Sequence, residues 1–122
     1  MTSAARPLPY WLTVSTNPAP AVVDGRACRT RAAFFEEAAR ALRLPGYFGR
    51  NWDALTDSLR DTGAITLIVE HAEELLSTEP PDQLATLLAV LAVAAEAGLT
   101  VTLCTDPGHE ALLRQRVAAA LT

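Results

Sequence analysis

The chain has no lysine: all ten basic residues among its 122 are arginines. Alanine is abundant too, and the two biases together read as genomic composition rather than as a design for phosphate binding. Cysteine is scarce. Cys28 and Cys104 are far apart and share no metal-ligand or redox spacing, so both are read as buried thiols. The two histidines, His71 and His109, stand alone in the sequence, which argues for surface or capping roles and against a metal centre or catalytic triad. Long apolar runs are missing as well. Met1–Val14 is interrupted by Arg6, Pro7 and Pro9, so it lacks a signal-peptide core, and nothing approaches the roughly 18 apolar residues of a membrane span. A cytoplasmic protein without membrane contact is expected. No internal repeat or low-complexity linker is present.

Half of the residues are hydrophobic, enough at this length for one compact domain with a single core. The net charge of −4 hides an uneven distribution. Residues 1–50 carry seven arginines against Asp24, Glu36 and Glu37. Residues 51–82 carry eight acids against Arg60 alone, a balance of −7. An acidic half on a small domain repels nucleic acid and attracts basic proteins, speeding their encounter at low salt. Direct RNA binding is therefore disfavoured.

Ala21-Val22-Val23 reads as a short buried strand closed by the Asp24-Gly25 turn signal, and Tyr10–Val14 allows a further N-terminal edge strand. Thr30 can cap a helix carrying Phe34, Ala38, Ala41 and Leu42 at helical spacing until Pro45 and Gly46. Asn51 caps a second helix reaching about Asp61. Ile65–Val69 is β-branched and apolar, hence a central strand. After a helical turn at His71–Leu76, Pro80-Pro81 opens a helix presenting Leu84, Leu87, Leu88, Leu91 and Ala95. Leu99–Cys104 supplies a third strand, and Pro107 begins a last helix with Leu113, Val117 and Ala120 inward. Strands separated by helices imply parallel pairing through right-handed crossovers. The predicted fold is an α/β domain with a three-stranded parallel sheet and four to five helices. Its predicted parts are an extension at 1–20, the domain proper at 21–105, and a C-terminal helix at 106–122 packed on the same domain.

The most unusual chemistry lies between Leu44 and Asp61. On a helix capped by Asn51, Asp53, Asp57 and Asp61 recur at i, i+4 and i+8 and line one side. Asp53 suits the first turn, where a carboxylate favours the helix dipole, but that reason does not cover Asp57. Ala54, Leu55, Ser58 and Leu59 fall on the opposite side and dock the helix. Before it, Gly46 and Gly49 bracket Tyr47 and Phe48, with Phe48 read mainly as core and Tyr47 open to either role.

The run Tyr47-Phe48-Gly49-Arg50-Asn51-Trp52-Asp53-Ala54-Leu55 resembles the signature of the barstar family, intracellular inhibitors of barnase-type secreted ribonucleases. The likeness extends over about residues 21–105. It implies that the loop and helix at 46–61 enter the nuclease's cleft, with Asp53 and Asp57 in place of RNA phosphates and Asp57 as the central contact. The partner-binding set implied in this way is Tyr47, Phe48, Gly49, Asn51, Asp53, Thr56, Asp57, Arg60 and Asp61. The protein would be a monomer when unbound, without cofactor, metal or catalytic residues. Some positions depart from the family pattern. Thr56 stands where an aromatic is common, Arg50 and Gly46 replace acids, and a family acid on a later helix falls near Val93 or Ala94, with only Glu96 nearby.

Two other classes of function compete. Paired acids can form a general acid and base, but carboxylates one turn apart on a helix sit only about 6 Å apart at Cβ, and no deep cleft is expected. A barstar-like interaction or immunity module with a target other than a ribonuclease is the second, since fold does not fix function.

Overall fold

In a computed structural model, which describes residues 7–14 and 19–122, the elements run β1 (Ala21–Asp24), α1 (Arg31–Ala41), α2 (Trp52–Thr62), β2 (Thr66–Glu70), α3 (Pro81–Ala95), β3 (Thr100–Leu103) and α4 (Glu110–Leu121). Short 3-10 turns at Gly25–Ala27 and Ala72–Glu74 follow β1 and β2. The three strands are parallel in the order β1-β2-β3, with Ala21 beside Leu67 and Leu67 beside Val101. This is the α/β sheet the sequence predicts, with four α-helices.

The alternation along each strand sets the layers. Ala21, Val23, Leu67 and Val69 are buried, and Val101 and Leu103 pack against the same core. On the other face Val22 and Thr102 are exposed and Ile68 is half-buried. The core continues through Phe34, Phe35 and Ala38 of α1, Leu55 and Leu59 of α2, and Leu84, Leu87, Leu91 and Ala94 of α3. Helix α3 contacts both α2 and α4, and Leu113 of α4 is buried in the same cluster. No helix is long and apolar enough to cross a membrane among the described residues.

Helix boundaries follow local chemistry. Thr30 caps α1 as predicted, its hydroxyl accepting from the Ala33 N–H at 3.1 Å. The helix stops at Ala41, short of Pro45, because Arg43 adopts a left-handed conformation with φ 54°. Pro81 occupies the first turn of α3, where its missing N–H costs nothing. Gly98, with φ 107°, turns the chain into β3.

Two expectations are corrected. Tyr10–Val14 forms no strand: a turn closes there, with the Leu12 N–H donating to the Pro9 carbonyl at 2.9 Å. Tyr10 is fully exposed and Trp11 71 % exposed, so a short apolar run without a pairing partner among the described residues does not make an edge strand, and Pro7 and Pro9 remove ladder donors upstream. The sequence also marks a loop by Pro18 and Pro20, of which Pro18 lies outside the described residues. Cys28 is buried as expected, but Cys104 is exposed, because it follows the last residue of β3 as the chain leaves the sheet.

Candidate functional site

Helix α2 is held from both ends. At its N-terminus Asn51 has extended backbone, and its Oδ1 accepts from the Ala54 N–H at 2.7 Å. The same side chain reaches back, its Nδ2 donating to the Gly49 carbonyl at 3.1 Å, so one residue joins the loop to the helix. Gly49 is required for that closeness: a Cβ there would meet both Ala54 Cβ and Asn51 Nδ2 at 3.2 Å. At the C-terminus Gly63, with φ 73°, donates its N–H to the Leu59 carbonyl at 3.1 Å.

The inward side of α2 rests on Leu55 and Leu59, each 1 % exposed. Beneath its first turn lies an aromatic cluster. Phe35 meets Trp52 edge-on with centroids 4.8 Å apart, Phe48 at 6.2 Å, and Phe34 lies 6.0 Å from Trp52. Such tilted arrangements add to the area buried. Phe48 is thus a core anchor, 5 % exposed. Its place in the predicted partner-contacting set is corrected: nearly all of its ring is buried, and it fixes the loop from below.

Tyr47, the neighbour of Phe48, is 90 % exposed. Asp53, Asp57 and Asp61 are all exposed on the outward side of α2. None of them forms a salt bridge among the described residues. Arg60 is exposed in the last turn, where a cation suits the helix dipole, and is likewise free of salt bridges. Thr56 is half-buried, with its hydroxyl donating to the Trp52 carbonyl at 2.9 Å. The predicted residues therefore converge on one face, with Tyr47, Gly49, Asn51, Asp53, Asp57, Arg60 and Asp61 at the surface and Thr56 between surface and core.

Arg50 could have weakened the negative field of this face, but it is occupied elsewhere. Its guanidinium forms an ion pair with Glu36 of α1, donates to the Phe48 carbonyl at 2.8 Å, and lies 5.9 Å from the Phe48 ring centre. The Arg50 guanidinium holds the Glu36 carboxyl below its ordinary range. These contacts support a left-handed backbone at Arg50, φ 49°, which turns the chain from loop to helix. The role of Glu36 escaped sequence reasoning, since the two residues belong to different elements and no local pattern joins them.

Two clefts, of about 660 and 330 Å³, are lined by residues between 70 and 121, and neither involves α2 or the loop before it. The exposed Tyr47 stands in the loop that leads into the acidic helix.

A sequence model of the family described as barstar (barnase inhibitor) matches residues 19–109. That span takes in the whole sheet, helices α1 to α3 and the acidic face. No curated protein matches the chain.

Proposed function

We propose that this chain, which belongs to the barstar family, inhibits a barnase-like, guanyl-preferring ribonuclease by lodging the α2 face and its preceding loop in the nuclease's active-site cleft. The observation that carries the reading is a row of three exposed carboxylates, free of salt bridges among the described residues, on a helix whose other side is fixed by Leu55 and Leu59. A nuclease that cleaves RNA must offer arginine, lysine and histidine to phosphate. Carboxylates at Asp53 and Asp57 satisfy those donors with charge-assisted hydrogen bonds and present no phosphodiester to cleave. Tyr47 supplies the apolar and polar contact at the rim that aromatic residues often provide in interfaces.

In this reading the protein works by binding, as a monomer until it meets its partner, in the cytoplasm where a nuclease made for export must be kept silent. It needs neither cofactor nor nucleic acid. The test is a titration of secreted guanyl-preferring ribonucleases, and of any small toxin encoded beside the chain, with RNA cleavage as readout. Stoichiometric loss of cleavage is expected. A purified chain that leaves every such nuclease active would end the proposal.

One observation favours a second reading, a barstar-like immunity module for a different toxin. Thr56 turns its hydroxyl into its own helix, so the face lacks an aromatic contact common at that position. If a neighbouring non-nuclease toxin is neutralised while ribonucleases are untouched, this reading replaces the first.

A further inference from the structure

A second group of reactive side chains lies where the parallel strands end, away from α2. Sequence alone separates its members widely. The turn after β2 carries His71 and Glu73, and the segment after β3 carries Cys104, Thr105, Asp106 and His109. Because β2 and β3 are parallel neighbours, their carboxyl ends deliver both segments to the same edge, and the Ala72 N–H donates to the Cys104 carbonyl at 2.9 Å. In open α/β sheets the crevice outside the carboxyl ends of the strands is the usual place for ligands. Here it is a cleft of about 330 Å³ lined by Glu70, His71, Cys104, Thr105 and Asp106.

One donor atom from each of Glu73, Asp106 and His109 lies within 4.8 Å of the other two. His71 Nδ1 stands 3.9 Å from the Glu73 carboxylate, so both histidines of the chain converge on one acid. The side chains are already oriented. Thr105 donates to Glu73 at 2.7 Å, and Asp106 Oδ2 is 2.8 Å from His109 Nδ1. Residue 71 has a left-handed backbone, φ 49°, which brings its ring to the turn. Metal bonds to nitrogen and oxygen of about 2.0–2.2 Å place tetrahedral donors about 3.4 Å apart, so the wider pairs of the group must close by up to about an ångström and a half and the Asp106–His109 pair must open slightly, both by rotations of exposed or half-buried side chains.

We propose that Glu73, Asp106 and His109, with His71 as fourth ligand, bind a divalent transition-metal ion of the zinc class. Mixed imidazole and carboxylate donors suit zinc, and two imidazoles disfavour calcium and magnesium, which take oxygen ligands. The ion would bridge the turn after β2 to the start of α4, a link that is independent of the acidic face on α2.

The probe is zinc chloride, titrated calorimetrically into tag-free, chelator-treated full-length protein. One-to-one saturable binding, reversed by chelator and accompanied by a rise in melting temperature, is expected. The double variant Glu73→Gln, His109→Ala should bind at least tenfold more weakly, and His71→Ala should also lose affinity. The turn leading into α4 survives these changes, since the His109 backbone N–H still donates to Asp106 Oδ1 at 3.0 Å; circular dichroism checks the fold. Cys104→Ser and Asp57→Ala should leave zinc binding intact. The proposal is overturned by absence of saturable binding at submillimolar zinc, by binding that the double variant retains in full, by loss on Cys104→Ser alone, or by equal displacement with tenfold magnesium.

Discussion

Replacement of Asp57 by alanine should move binding and stability in opposite directions, and both magnitudes follow from the geometry of α2. In the complex, one carboxylate about 4 Å from a cation at an effective dielectric near 20 contributes about 4 kcal/mol. Desolvation of the carboxylate subtracts from this, and the nuclease cation left unpaired restores part of it. A loss of roughly 3–4 kcal/mol weakens inhibition by about 100- to 1000-fold at 1.4 kcal/mol per tenfold. In the free protein Asp57 forms no salt bridge among the described residues and sits one turn from both Asp53 and Asp61. Removing it relieves two like-charge pairs at about 0.2–0.5 kcal/mol each, and alanine is the better helix former by several tenths more. The variant should therefore be about 1 kcal/mol more stable.

The assay pairs inhibition constants against a guanyl-preferring ribonuclease, the proposed partner, with urea unfolding of the free protein. Asp57→Asn serves as the companion, removing charge while keeping size. Refutation takes either of two forms. Inhibition unchanged within a factor of three would show that Asp57 is not the central contact. A destabilisation of the free chain would show that the carboxylate has a structural partner, and the decoy role would fall with it.

Asn51→Ala should destabilise the free protein by about 1 kcal/mol through loss of the cap, measured by urea unfolding, and should also weaken inhibition because the Gly49 loop is released. Gly25→Ala should unfold the domain or cost more than about 3 kcal/mol, since its Cβ would stand 2.1 Å from the His71 carbonyl oxygen, whereas Gly46→Ala, with nothing within 4 Å, should change thermal stability little. In the native protein a thiol reagent at pH 8 should modify Cys104 alone; burial pushes the Cys28 thiol up to about 12, so its labelling should require unfolding. Glu37 bonds Arg40 and accepts from the Asp24 N–H, contacts that hold its carboxyl below the ordinary range. A depressed folded value means stability present above the unfolded carboxylate value near 4.3 and lost as pH falls through the folded one. Urea midpoints should thus fall more steeply below about pH 4.3 in the natural chain than in Glu37→Gln.

Local features were legible in the sequence and long-range ones were not. Thr30 and Asn51 could be read as caps because a cap bonds its own helix three residues on. The three strands announced themselves through short apolar runs, and parallel order followed from the helices between them. Tyr10–Val14 is a similar short apolar run yet stays unpaired among the described residues, because a strand is a property of two segments and the pattern reports only one. The site divides similarly. Helical periodicity sufficed to put Asp53, Asp57 and Asp61 on one side, while the family resemblance supplied their purpose. Phe48 was readable as core from its place between the two glycines and is an anchor, but nothing local revealed that Arg50 is bound to Glu36. Nor did any local pattern show that His71 and His109, read as isolated, meet at the carboxyl ends of β2 and β3.

A helix bearing three acids at one-turn spacing works against its own formation, so the acidic face depends on the opposite one. The two like-charge pairs cost about 0.4–1 kcal/mol together. Full burial of Leu55 and Leu59 contributes about 1.5–3 kcal/mol each, and the Asn51 cap about another 1. The inward side thus outweighs the repulsion severalfold, and carboxylates that would fray a solitary helix stay fixed on this one. That surplus has a functional consequence. Under the proposed function, acids carried on a helix already docked by its other side leave little ordering cost to be met at the interface. Weakening the inward side, for example by Leu59→Ala, should therefore lower affinity for the nuclease through a looser α2 even where no contact residue is touched.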